Sequence, residues 1–288
     1  MIALAVGVAL LGSLFFALGA ALQQHEAARS AEPRLRVLLR RPLWLAGGAA
    51  GVVGATLHIF ALSIGPLTLV QPMGMAGLLF ALPIAAALHG RSPRREELVA
   101  ALPVCIGLMG LVLLVPRTAQ TPQLTESGAV MMLAGTALAA AACFGIAQRS
   151  AGAARTALFA VAAGVMYGAT ATLTHVLVEG PGGDLWLLAV VPLPAVSALM
   201  LLQRAYAAPA RPNASRTRDS REELGGGHFA VAFATLQVTD PLTAVTWGAL
   251  LLGEPLPSHA TAALVAALLA AAGTVALART TPLNRQAP

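Results

Sequence analysis

The chain has no lysine: all eighteen of its basic side chains are arginines. Charge of either sign is scarce, since Asp, Glu, Lys and Arg make up 10% of the 288 residues, where a soluble domain carries about a quarter. That deficit excludes a water-exposed globule. Cysteine is limited to Cys105 and Cys143, each inside an apolar run, which leaves no disulfide framework and reads as two small buried hydrophobes. No glycine-rich phosphate loop is present, so direct coupling to ATP is not expected. Nor do His, Cys, Asp and Glu recur with metal-ligand spacing. No cofactor, no metal and no enzymatic activity are therefore expected. Aromatics are 5% of the chain and do not interleave with arginines as nucleic-acid recognition requires, so no nucleic-acid partner is expected.

What the chain has is apolar length. Hydrophobic residues reach 57% and gather in nine runs, at 2–22, 43–64, 67–89, 98–115, 128–148, 156–178, 185–204, 228–252 and 259–277. Each is near the ~20 residues that span a 30 Å hydrocarbon slab. Residues 1–22 lack the basic start of a secretory signal and are read as the first span. Threading the runs puts Arg29, Arg34, Arg36, Arg40, Arg41, Arg91, Arg94, Arg95, Arg149, Arg155, Arg204, Arg211, Arg216, Arg218, Arg221, Arg279 and Arg285 on one side, and Arg117 alone on the other. By the positive-inside rule the C-terminus is cytoplasmic and the N-terminus outside. Arginine-only usage suggests GC-rich codons and a bacterial source, hence a multi-pass protein of a bacterial cytoplasmic membrane with the lipid bilayer as its solvent.

Two halves repeat. The third run closes with Leu88-His89-Gly90-Arg91 and the eighth with Leu251-Leu252-Gly253-Glu254, each followed by an Ala/Gly-rich run. Five crossings separate the equivalents, so they traverse in opposite senses. The expectation is an all-α polytopic fold of about nine transmembrane helices in two inverted-repeat halves, 1–117 with four helices and 118–288 with five. Such repeats place a substrate site near the midplane. The first run looks more like the fifth than the sixth, so either the first half has lost a helix or one helix is misassigned. Residues 207–227, rich in Arg, Ser, Pro and Gly, read as a disordered cytoplasmic insert.

Asp240 is the one acidic residue near the middle of a span, and such a residue is a functional candidate by default. A carboxyl there can bind and release a proton as access alternates. Pro241 follows and is expected to kink the helix. Gln237 and Thr243, one turn to either side, would complete a polar stripe. His58 and Gln71 are the next candidates for lining a route, and Pro72, Pro83, Pro192 and Pro194 for kinks that gate it. Gly47, Gly51 and Ala55 form a small-residue stripe suited to close helix packing. Trp44, Trp186 and Trp247 read as interface anchors. Glu254 reads as a capping or pairing group, His175 as interfacial, and His25, His89, His228 and His259 as solvated at span ends.

Specific residues also carry a family likeness. The segments Arg41-Pro42-Leu43-Trp44-Leu45-Ala46-Gly47, Ala61-Leu62, and Gly65-Pro66-Leu67-Thr68-Leu69-Val70-Gln71-Pro72-Met73-Gly74 resemble the drug/metabolite transporter superfamily, nearest its NIPA-type magnesium transporter branch. Leu252-Gly253-Glu254-Pro255-Leu256 is similar to the Gly-Glu closing the corresponding helix across that superfamily. The resemblance implies an EamA-like secondary transporter moving a small molecule or ion, and the reading of Asp240 as a mid-span acid adds proton coupling to it. This chain departs from the magnesium branch where that branch has Gly-Glu and, three residues on, Asn: here stand Gly54, Ala55 and His58, without the acid a hard divalent cation prefers. Arg91 replaces the usual Glu closing the third span. Magnesium transport and a non-transporting scaffold or accessory subunit are the alternatives, and a homodimer stays open.

Overall fold

The computed structural model describes residues 2–30, 34–65, 70, 73–114, 121–180, 185–207, 218–255 and 259–280, with the backbone alone for 218–227. Among the described residues every regular element is a helix: α1 Ile2–Arg29, α2 Leu35–Leu38, α3 Pro42–Ile64, α4 Gly77–Leu88, α5 Arg95–Leu114, α6 Glu126–Arg149, α7 Gly152–Glu179, α8 Leu187–Val190, α9 Pro192–Tyr206, α10 Arg218–Leu251 and α11 Ala260–Thr280. Taking α8 and α9 together, eight stretches are long and apolar enough to cross a membrane, and Met73–Leu88 is a shorter apolar helix. Large side chains stand outward on the bundle, Ile59 68% exposed and Leu138 73% exposed, as hydrocarbon permits and water does not. The chain is an all-α, multi-pass membrane protein.

Three helix pairs are drawn together by missing side chains. Gly12 and Gly19 of α1 face Gly54 and Gly47 of α3, so closely that a Cβ on Gly19 would lie 2.6 Å from the Gly47 carbonyl oxygen. With Ala5 and Ala61, both buried, the small residues recur every seventh position on each helix, the period that keeps one stripe facing its partner. Of the expected Gly47, Gly51, Ala55 stripe, Gly47 lies in this seam and the Gly51 backbone abuts Gly19, whose Cβ would come 2.9 Å from Gly51 N, while Gly54 and Ala61 continue the seam. Gly107 of α5 meets Ala266 and Ala270 of α11, while Gly273 of α11 meets Val104. Gly164 and Gly168 of α7 meet Thr239 and Thr243 of α10.

Helix ends follow local chemistry. Gly90 and Gly253 both take the left-handed region, at φ 68 and 67, where a Cβ is strained. Behind them the Arg91 amide bonds the Ala86 carbonyl and the Glu254 amide the Gly248 carbonyl, satisfying the last turns of α4 and α10. The side chain of Glu97 accepts from the Arg94 amide, 3.2 Å, and from both Arg91 guanidinium nitrogens at 2.9 and 3.1 Å, which closes the α4–α5 turn.

Several expectations change. The helix of the third run carries a one-residue turn at Ala76, between Met73–Met75 and α4, with the Ala76 backbone still in the right-handed helical region at φ −62 and ψ −16. The helix continues through Pro83. The seventh run divides at Val191, before Pro192, whose ring occupies the first turn of α9 where no amide hydrogen is needed. α10 starts at Arg218, inside the stretch expected to be disordered; the polar composition of 218–227 rules out a span, but extending an existing helix costs far less than nucleating one.

The core is unevenly shared. One cluster joins both halves, through Ala17 and Ala21 of α1, Leu78 and Ala85 of α4, Ala101 and Leu108 of α5, Phe159 and Ala163 of α7, Leu202 and Tyr206 of α9, Phe229 and Phe233 of α10 and Leu277 of α11. A second holds Ala129, Met132, Leu173, Val176 and Leu187 alone from the latter half. A third holds Ala5, Ala9, Ala61 and Val70, all from the first.

Candidate functional site

Asp240 sits midway along the apolar segment His228–Leu251 of α10 and is half-buried. The seam with α7 fixes its backbone: a Cβ on Gly168 would lie 2.7 Å from the Asp240 carbonyl oxygen and one on Gly164 3.2 Å from its nitrogen. Among the described residues its carboxylate has no hydrogen bond and no ion pair, and its electrostatic neighbour is Tyr167 of α7. Pro241 follows inside a continuous helix. Having no N–H, it leaves the carbonyl of Gln237, one turn back, without its usual donor. Gln237 is itself half-buried.

Thr243 is not a free member of a polar stripe. Its hydroxyl donates to Thr239 O, 2.9 Å, and Thr239 in turn donates to Thr235 O, 2.8 Å. With Thr136 and Thr246, which bond back on their own helices in the same way, Thr239 and Thr243 line a groove of about 260 Å³ between α6, α7 and α10, walled by Val165 and Trp247. Its hydroxyls being committed, the groove presents methyl groups.

The other candidates gather around the turn in the third span. His58 of α3 is half-buried, its ring 3.4 Å from where a Cβ of Gly74 would stand. Gln71 and Pro72 lie outside the described residues. Two residues that sequence reasoning missed hold the turn. Ser13 Oγ of α1 donates to Met73 O, 2.7 Å, and Cys105 Sγ of α5 lies 3.6 Å from Met75 O. A buried serine amid small apolar neighbours was the one available signal. Counting from the matched caps, Gly90 minus thirteen is Gly77 and Gly253 minus thirteen is Asp240. The turn beside Gly77 and the carboxylate thus lie at similar distances, each about 20 Å along the helix from its capping glycine, on helices that touch.

The arginine-rich end holds a buried polar layer inside a rim of exposed arginines, Arg36, Arg40, Arg149 and Arg204 among them. Trp44 is 5% exposed, and its Nε1–H donates to Gln203 Oε1 of α9, 3.1 Å, so it packs inward and is no lipid-interface anchor. His89 and His228 are buried, not solvated; His259 is exposed. His89 shares a 2.9 Å bond with Gln24 and its ring stands 5.2 Å from that of His25. Burial, then the nearby His25, Arg91 and Arg29, hold the His89 imidazole down at about 4. Arg41 pairs with Glu26 at 2.8 Å. At the opposite end His175 reaches Glu254 at 3.4 Å and Glu179 at 3.8 Å.

A 115-residue stretch is similar to an uncharacterized protein of Corynebacterium glutamicum, at 34% identity over 37% of this chain and 39% of that relative. The match therefore spans about two fifths of the relative's length. No family model matches the chain, and no solved structure does.

Proposed function

We propose that the chain is a secondary transporter of the drug/metabolite type, moving a small molecule or ion across a bacterial cytoplasmic membrane by alternating access, with Asp240 as its proton-coupling group. In this reading the spans number nine, the N-terminus is outside, and α1, α3, α4 and α5 are related by inverted repeat to α7, α9, α10 and α11. Packing supports the pairing: α1 lies against α3 and α4 as α7 lies against α9 and α10, and α5 packs on α11. α6 is then the helix without a counterpart, which accounts for the odd total.

The observation that carries the proposal is a mid-span carboxylate with no bonded partner among the described residues. A carboxylate there costs several kcal/mol unless it meets water or a ligand. Proton exchange at the Asp240 carboxylate would then be linked to substrate occupancy near Gln237, its freed carbonyl and His58. Clusters of three or more acid, His or Cys ligands are lacking among the described residues, so an organic or singly charged substrate is favoured over magnesium.

Reconstituted protein should be screened by thermal shift against small metabolites, magnesium included, and hits tested for ligand-driven proton movement into dye-loaded liposomes. Asp240→Asn should insert normally and lose at least about tenfold of that movement, a barrier change of ~1.4 kcal/mol. Undiminished proton movement in Asp240→Leu would remove the coupling role.

A further inference from the structure

The two halves meet the charge of their arginine-rich ends differently. In the first half Glu26 pairs with Arg41 at 2.8 Å and Glu97 with Arg91 at 2.9 Å. In the second, residues 127–178 and 185–206, which make up nearly all of α6, α7 and α9, contain no Asp or Glu. Arg155, half-buried early in α7, and Arg204, exposed in the last turn of α9, have no ion pair and no hydrogen bond among the described residues. They meet aromatic rings instead. The Arg155 guanidinium lies over Phe159, 5.6 Å from the ring centroid, and that of Arg204 over Phe144 of α6, 5.0 Å away. The two rings themselves meet edge to face with centroids 5.7 Å apart.

A guanidinium over a ring gains cation–π attraction but commits none of its five N–H donors. Two forks therefore stay open to an anion, and phosphate is the group they match in geometry as well as charge. The pair is also held in place. α7 packs against both α6 and α9, and Arg204 reaches from α9 to the α6 ring, so three helices fix the two cations.

The surface leading to the pair decides which phosphate fits. Leu193, Val196, Met200 and Arg204 follow at intervals of three and four on α9, which puts them on one face. The three apolar members are 64%, 43% and 46% exposed. An outward apolar stripe about 16 Å long that ends in an unpaired cation matches a lipid, with its chain in hydrocarbon and its phosphate at the interface. Inorganic phosphate would use the cations and ignore the stripe. A zwitterionic headgroup would bring its own cation beside two guanidinium groups.

We infer that Arg155 and Arg204 hold the phosphodiester of an anionic phospholipid from the leaflet that meets the arginine-rich end, with an acyl chain along Leu193, Val196 and Met200. Basic sites between spans at the cytoplasmic side suit such headgroups. The lipid would brace α6 and α9 across α7, the helix that also fixes the backbone of Asp240.

The test uses the full chain in nanodiscs of mixed phosphatidylcholine and phosphatidylglycerol. In a Cys105→Ala, Cys143→Ala background, a bimane fluorophore is attached at Met200→Cys, one turn before Arg204, and in a separate sample at Val275→Cys. Val275 is likewise exposed one turn before an exposed arginine, Arg279, which lies over no ring among the described residues. Quenching by brominated phosphatidylglycerol, compared with brominated phosphatidylcholine, reads the local preference. It should favour phosphatidylglycerol about thirtyfold at Met200→Cys, where two arginines act, and about fivefold at Val275→Cys, where one does. Arg155→Gln with Arg204→Gln should bring the Met200→Cys preference to the Val275→Cys level or below. Equal preference at the two positions, or a Met200→Cys preference that survives loss of both arginines, overturns the inference. Millimolar inorganic phosphate should leave the preference standing; its abolition would make this a site for free phosphate and overturn the lipid assignment. If the double arginine variant does not fold, the comparison of Met200→Cys with Val275→Cys, made with both arginines in place, decides alone.

Discussion

Gly168 of α7 and Thr243 of α10 meet without room for a methyl group: a Cβ on Gly168 would lie 2.5 Å from the Thr243 Cβ and 2.7 Å from the Asp240 carbonyl oxygen. One glycine therefore sets both the approach of two helices and the position of the candidate coupling residue.

Gly168→Ala should destabilise the protein by about 1–3 kcal/mol, the cost of overpacking a tight interior. Gly7→Ala provides the contrast, because a Cβ there meets nothing within 4 Å, and it should be neutral or gain up to about 1 kcal/mol from helix propensity. Thermal unfolding of the two variants in the same detergent checks the pair. Equal melting temperatures would mean that the α7–α10 seam is not as tight as described.

Ser13 offers a second test. Its hydroxyl lies within bonding distance of both Ala9 O, 3.0 Å, and Met73 O, 2.7 Å, so removing it takes away the side-chain bond that ties α1 to the Met73 carbonyl and leaves that carbonyl with the Ala76 amide, 3.1 Å. Ser13→Ala should cost about 1 kcal/mol, with faster protease cleavage between residues 65 and 77, and Ser13→Thr should restore both. Ser197→Ala, where an exposed hydroxyl bonds only its own helix at Leu193 O, should change neither. Cleavage unaltered by Ser13→Ala would show that Met73 is held by something else.

The contrast between these residues explains what the sequence could and could not reveal. Asp240 stood out because a lone acid in an apolar run is costly wherever its side chain turns. Trp44 did not, since its distance from the span end is the same whether its indole faces lipid or Gln203, and only the neighbouring helix decides. His89 and His228 failed for the same reason: their places at helix ends were legible, but not that other helix ends cover them. The spans were legible from length and hydropathy alone. The seven-residue stripe of Ala5, Gly12 and Gly19 is equally plain in the sequence, yet its meaning requires the antiparallel partner stripe on α3. The helical start of α10 was hidden because polar composition argues against a membrane span and says little against a helix.

The capping glycines test the repeat itself. Gly90 and Gly253 share a left-handed conformation, at φ 68 and 67, with open space around each Cβ position. Strain of about 1–2 kcal/mol is therefore the whole expected cost of Gly90→Ala and of Gly253→Ala. Gly→Asn at either place should cost less, since Asn tolerates this region. Two similar losses, each relieved by Asn, are the expected outcome in denaturant-induced unfolding. A loss at one position only would indicate that the two closures are not alike.

His89 makes stability depend on pH, and the direction follows from its surroundings. Burial, reinforced by His25, Arg91 and Arg29, brings the folded imidazole from the ordinary 6.5 to about 4. Between those values the unfolded chain takes up a proton that the folded chain refuses. Stability is thus complete above pH 6.5 and declines as pH falls through that window, by about 3 kcal/mol once both forms are protonated. His89→Gln keeps a side chain able to bond Gln24 but cannot titrate, so its unfolding midpoint should be flatter between pH 7 and about 4. His259→Gln, at an exposed site, should retain the wild-type slope. A slope that survives His89→Gln would assign the proton to another group in the same layer, with His25, whose ring stands 5.2 Å away, as the first to replace next.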